Sequence, residues 1–315
     1  MKENRLQNKV ATSSFTLPVA ALVATLLWGI KMPIEQTEVW AWLCCALSAY
    51  LMVEFNNSNA LIRIRSRLPT STYLYGIACC SFLHNQVLTL LCGLLLLTAY
   101  YFLFRSYQDN RHTANIFHAF VAIGIAALIQ PILLAIVPFA YWSMGAYLRT
   151  LSFKTFCASL IGMATPVWFS CMYWVYQENY TPIITIFQQI TTPSWPSVND
   201  FLHVDVTRWI AFGLVFLLGL ISSMHTLRTS YNDKIRTRML FYTLLVFELG
   251  LVLLLAFSPQ NFDCLLTVLI ITTAPVIAHF FALTHMRITN LLFILALQAY
   301  PLISLSAIIL PLLGI

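Results

Sequence analysis

The sequence predicts an all-α fold, a polytopic bundle of about eleven transmembrane helices (10–12), from its composition, the recurrence of its apolar runs and the sidedness of its basic residues. Hydrophobic residues make up 60% of the 315, charged residues 9%, and the mean hydropathy is +0.80. Soluble domains carry roughly 25% charged residues, so most of this surface expects lipid as its solvent. Apolar runs recur from residue 15 with only short polar breaks, so residues 1–315 read as a single integral membrane domain.

A helix needs about 20 apolar residues to cross a hydrocarbon core of about 30 Å. The first candidate, 15–30, follows Lys2, Arg5 and Lys9; this is also a signal-peptide charge profile, but the many later spans favour a retained helix. Next come 39–54, beginning after Glu38, then 70–83 and 87–104, separated only by His84, Asn85 and Gln86. The run 113–129 ends at Gln130, and 131–148 starts on Pro131. The last five are 155–177, 208–225, 239–257, 262–282 and 288–313, bounded by Lys154, Arg208, Arg238, Asp263 and Arg287. Several are short, which predicts tilted, broken or re-entrant helices.

Charge decides whether 70–104 is one helix or two. With two, one side receives 15 of the 17 basic residues and the other only Lys31 and Arg208. With one, the split is 7 to 10. The first is the positive-inside pattern, and it places the N-terminus in the cytoplasm and the C-terminus outside. The longest outer loop is then 178–207, with Pro182, Pro193, Trp195 and Pro196. Within it, Ile183 to Ile190 has the pattern of an interfacial amphipathic helix. The loop reads as a lid or binding loop, or as a plain connector with an aromatic anchor.

The net charge of +6 is dispersed over short loops, so no nucleic-acid partner is expected. Eight cysteines lie in apolar stretches without CxxC or zinc spacing, and read as small buried hydrophobes. There is no P-loop, GxGxxG, HExxH or GxSxG, and neither a cofactor nor a metal is expected.

Glu248 stands ten residues past Arg238, about 15 Å deep in its span. A carboxylate there costs roughly 2.5–3.5 kcal/mol on insertion scales and should face a partner in the bundle interior. Thr272, Thr273 and Gln298 fall at similar depth in the next two spans, beside Pro275 and Pro301. Prolines free backbone carbonyls, and carbonyls plus a midplane carboxylate would suit a transporter ion site; the plainer reading is polar groups satisfying kinked backbone. Three spans joined by short loops are expected to pack as neighbours.

A second set lies on the outer side: Glu35 and Glu38, His84 and Gln86, Gln130, then Glu178, Asp200, His203, Asp205 and Arg208. An outward carboxylate, Glu35 or Glu38, could act as a general base, although solvated loop acids are commoner. Arg63, Arg65 and Arg67 suit lipid headgroups just inside the membrane, as well as fixing topology.

Two stretches, FNNSNALIRIRSRLPTSTYLYGI (55–77) and NIFHAFVAIGIAALIQPILLAIVPFAYWSMGAYLRTLSFKTFCASLIGMATPVWF (115–169), resemble an uncharacterised family of multi-pass inner-membrane proteins from Bacteroidetes-type bacteria. That resemblance implies a bacterial inner-membrane location and assigns no residue a role. The second stretch is also similar to a hairpin of multi-pass polyprenyl-phosphate-sugar glycosyltransferases. Those enzymes present an acid on a long first outer loop; here Glu35 or Glu38 would match, on a loop of only Lys31 to Glu38. The reading that follows is a protein of envelope biogenesis that handles a lipid-linked or amphipathic small molecule at the outer face. The alternatives are an ion-coupled secondary transporter using Glu248, and a non-catalytic scaffold among other membrane subunits.

Overall fold

The computed structural model describes residues 5–29, 35–64, 66–108, 113–191 and 197–312. Helices follow one another as α1 (Leu6–Thr12), α2 (Thr16–Trp28), α3 (Gln36–Asn59), α4 (Leu68–Cys79), α5 (Val87–Arg105), α6 (Thr113–Ile129), α7 (Val137–Ala146) and α8 (Phe153–Tyr176). They continue as α9 (Thr181–Thr191), α10 (Val198–Leu202), α11 (Val206–Thr229), α12 (Ile235–Phe257), α13 (Phe262–Leu283) and α14 (Arg287–Leu312). Short 3₁₀ turns precede α5, α7, α12 and α13, and no strand occurs among the described residues.

Among the described residues, seven helices are long and apolar enough to cross a membrane: α3, α5, α8, α11, α12, α13 and α14. An eighth crossing results if α1 and α2, bent by 97° between them, count as one broken span. This is the architecture of a multi-pass membrane protein. The other predicted spans are helical but short, because local chemistry cuts them. The 12 residues of α4 reach only about 18 Å, with Pro69 in the first turn and the 3₁₀ turn before Gln86 at the end. The apolar segment 113–146 breaks at Gln130–Pro131, where proline cannot continue the α6 hydrogen-bond ladder.

Helix α13 is the axis. The whole of its most apolar 18-residue stretch is buried, against 22% for α8 and α14, which sit at the rim. Around it stand α4, α5, α11 and α12, with α1 and α14 against its basic end. Helices α4 and α5 form a hairpin on its surface. The Thr72 hydroxyl donates to Ala274 O and the Tyr100 hydroxyl meets Thr272 Oγ1 at 3.1 Å, at one level, while Gln86 at the hairpin tip reaches Asp263. The run 70–104 is therefore two antiparallel helices.

A second layer grows outward from α5 through α3 and α6 to α8. Helices α6 and α8 touch backbone to backbone at Gly124 and Gly162. The start of α8 is fixed by a capping box, in which Ser152 and Thr155 exchange side-chain and backbone bonds.

Hydrogen bonds sort the loops into two groups. At one end Arg63 meets Asp233, Arg236 meets Asn59, and Gln7 donates to Phe281 O and Thr284 O. At the other, Asn85 meets Glu35, and both Gln86 and Arg208 meet Asp263. These groups match the two sides given by the charge count, and are called below the basic end and the predicted outer end.

Candidate functional site

The 3₁₀ turn Pro259–Asn261 leads into α13 so that Asp263 stands in its first helical turn, where unpaired amides favour a carboxylate. Arg208, in the first turn of α11, grips it as a fork: Nε donates to Oδ1 at 2.7 Å and Nη2 to Oδ2 at 3.1 Å. From the α4–α5 hairpin, Gln86 Nε2 donates to Oδ2 at 2.5 Å. The Thr89 hydroxyl donates to Gln86 Oε1 at 2.9 Å, which fixes the orientation of that amide. Arg208 also pairs with Asp205, and its guanidinium lies 5.3 Å from the centre of the Phe82 ring.

This cluster forms one wall of an open polar cavity of about 400 Å³ at the predicted outer end. Gln130, from the break between α6 and α7, and Gln260 and Asn261, from the turn before α13, complete the lining with Asp200 and His203. Trp209 holds the last two in place: it packs on Phe201 and Phe262, and its Nε1 donates to Phe201 O at 3.4 Å. The Ser197 backbone N–H donates to Asp200 at 2.8 Å and keeps that carboxyl below its usual range. Residues from four separate parts of the chain thus converge. The predicted amphipathic helix in 178–207 is present as α9, which packs against α8 and the turn at Pro131; Pro193, Trp195 and Pro196 lie outside the described residues.

The remaining outer candidates sit apart from this lining. His84 is buried, stacked on Trp28 at 3.9 Å, with Nε2 2.9 Å from Ala78 O. Glu35 is exposed and accepts from Asn85. Glu38 is buried, with Oε2 lacking a partner among the described protein atoms.

Glu248 lies at mid-bundle between α12 and α11, where the Ser223 hydroxyl donates to its Oε2 at 2.6 Å. Thr273 shares this spot, with its methyl beside Gly219, but its hydroxyl is returned to Leu269 O. Thr272 points the other way, toward Tyr100. Gln298 lies on the exposed face of α14, because α14 rests mainly on α11 and α4 and not on α12. Of the expected packing of three successive spans, α12 lies against α13 while α14 stands apart from α12, and α11, whose Gly219 lies beside Thr273, packs closely on α13.

At the basic end, Arg63 Nε donates to Asp233 Oδ1 at 2.7 Å. Arg67 is exposed at the mouth of an apolar groove between α2, α3 and α4, and Arg65 lies outside the described residues. Burial pushes the Asp233 carboxyl up, but His279 at 3.2 Å and Arg63 outweigh it and hold it below the ordinary 3.8. A depressed folded value means that its stabilisation is complete above 3.8 and lost as pH falls through that lower value. Acid unfolding in detergent should therefore show a limb below about pH 4 that Asp233→Asn removes; an unchanged limb in the variant would assign it elsewhere.

The residues missed as site candidates are Thr89, Gln260, Asn261 and above all Asp263, an acid that loop alternation merely places on the outer side. Its signal was available: Arg208 is one of two basic residues on that side, and the polar run Pro259–Asp263 opens the following helix. Among the described residues, no group of three or more His, Cys, Asp or Glu side chains is placed to hold a metal ion. Comparison with family models, curated proteins and solved structures returns no match, so the functional reading rests on the geometry.

Proposed function

We propose that the chain is a bacterial inner-membrane protein of eleven crossings, with its N-terminus in the cytoplasm. In this reading it serves envelope biogenesis by holding the polar head of a lipid-linked or amphipathic molecule in the cavity at its outer face. The supporting observation is the convergence of Gln86, Gln130, Asn261, His203, Asp200 and the Arg208–Asp263 pair on one open cavity. Its carboxamides donate and accept with little charge, and its one arginine is already neutralised by two aspartates. A hydroxyl-rich head such as a sugar suits that lining better than a bare phosphate, which Asp200 and Asp263 would repel. Both oxygens of Asp263 are engaged, so it builds the site and does not serve as a free base.

Native mass spectrometry of the purified protein with a polyprenyl-phosphate-linked sugar tests this reading. Gln86→Leu and Gln130→Leu should each weaken binding by about tenfold, the scale of one lost hydrogen bond. Glu248→Gln, at mid-bundle, should leave it unchanged. No binding by the wild type, or binding by both Gln86→Leu and Gln130→Leu as tight as the wild type's, would remove the cavity from consideration. A scaffold among membrane subunits predicts instead that none of these variants changes function.

A further inference from the structure

The buried face of α11 changes character halfway along: Ala211, Val215 and Leu218 give way to Gly219, Ser222 and Thr226. The small polar half meets Glu248 of α12 and Thr273 of α13 at mid-bundle, and leads from there to His225, His279 and Asp233 at the basic end. Along this stretch the Ser222 hydroxyl, with 1% of the residue exposed, His225 Nδ1 and His279 Nδ1 find no partner among the described protein atoms. Buried polar groups of this kind are ordinarily satisfied by ordered water. Arg63, bonded to Asp233, is 45% exposed, so the polar groups of the seam end beside a side chain in contact with solvent. In the other direction, Val215, Leu218, Leu251 and Leu255 are buried and present no polar atom to water.

We propose that Glu248 is a proton-binding site reached by water from the basic end through the seam between α11, α12 and α13, and sealed from the opposite end. Glu248 is faced by Gly219 and Ser223 of α11 and Thr273 of α13, while α7 meets α12 through Phe139 at Gly250. The next titratable groups along the seam are His225, His279 and Asp233, with Arg63 as the charged group at the mouth. Gly219 is what gives the carboxyl its room: an added Cβ there would come within 2.5 Å of Glu248 Oε1. The site is independent of the outer cavity, and either can stand without the other.

Infrared spectroscopy of the full-length protein tests it. The carbonyl stretch of a protonated carboxyl that disappears in Glu248→Gln should shift within the mixing time on transfer to D₂O. Ser222→Leu, which fills the seam with hydrocarbon, should slow that shift by about tenfold or more. If Ser222→Leu fails to insert, Thr226→Leu, one turn nearer the basic end, applies the same block. The proposal is overturned if no such band exists at any pH at which the protein is folded, if the band stays unshifted for hours, or if the block leaves exchange as fast as before.

Discussion

Arg208→Met should destabilise the folded protein by about 2–3 kcal/mol, and Asp263→Leu by a similar amount, while the double variant recovers most of the loss. The side chains are only 24% and 17% exposed, so removing one leaves the other's charge poorly solvated. Their partial exposure keeps the figure below that of a fully buried pair. Replacing both sides with apolar groups removes that penalty, which separates the cost of a stranded charge from the worth of the pair. Unfolding the four-member set in one detergent measures the coupling; additive losses would mean that Gln86, Asp205 and solvent hold each charge unaided. Asp263→Leu and the double variant should also lose cavity binding, because Gln86 takes its position from Asp263.

Gly162→Val should be worse still, costing about 3 kcal/mol or more and lowering the yield of folded protein. The first added carbon would stand 2.6 Å from the carbonyl oxygen of Phe117, a backbone atom that cannot rotate aside. Across the same contact, a Cβ on Gly124 would meet Met163 O at 2.9 Å. Helices α6 and α8 would have to part, and lipid-embedded helices associate through such close small-residue contacts. Since α6 ends beside Gln130, the damage should spread to the cavity. Gly213→Ala, where nothing among the described residues lies within 4 Å of the new carbon, is the control and should be neutral or stabilising by about 0.5–1 kcal/mol. Equal thermal stability of the two variants would refute the close-contact argument.

How far these features were legible depends on whether they are local. The predicted apolar runs are helical, though only seven or eight are long enough to cross a membrane, because apolar runs and prolines act where they stand: Pro131 divides 113–148, and the polar trio His84–Gln86 divides 70–104. The convergence of Gln86, Gln130, Asp200, His203 and Arg208 was half legible, since loop alternation puts all five on one side. That they share one cavity depends on which helices adjoin, and periodicity carries no such information. Helix neighbours were likewise hidden. Short loops argue for α12, α13 and α14 side by side, yet Gly219 and Ser222 give α11 the closer approach to α13, and α14 is left at the rim. Ser223 as the partner of Glu248 follows from that exchange.

The enclosure of α13 also constrains how the chain is made. Its neighbours α4, α5, α11 and α12 leave the ribosome before it, so the growing bundle must carry an unfilled slot, in which Gln86 waits 177 residues for Asp263 and Arg208 waits 55. A helix surrounded on every side cannot dock from the lipid late without its neighbours parting. Biosynthesis therefore has a deadline at the emergence of α13, when the arrival of Asp263 settles the slot's polar rim and its apolar walls in a single step.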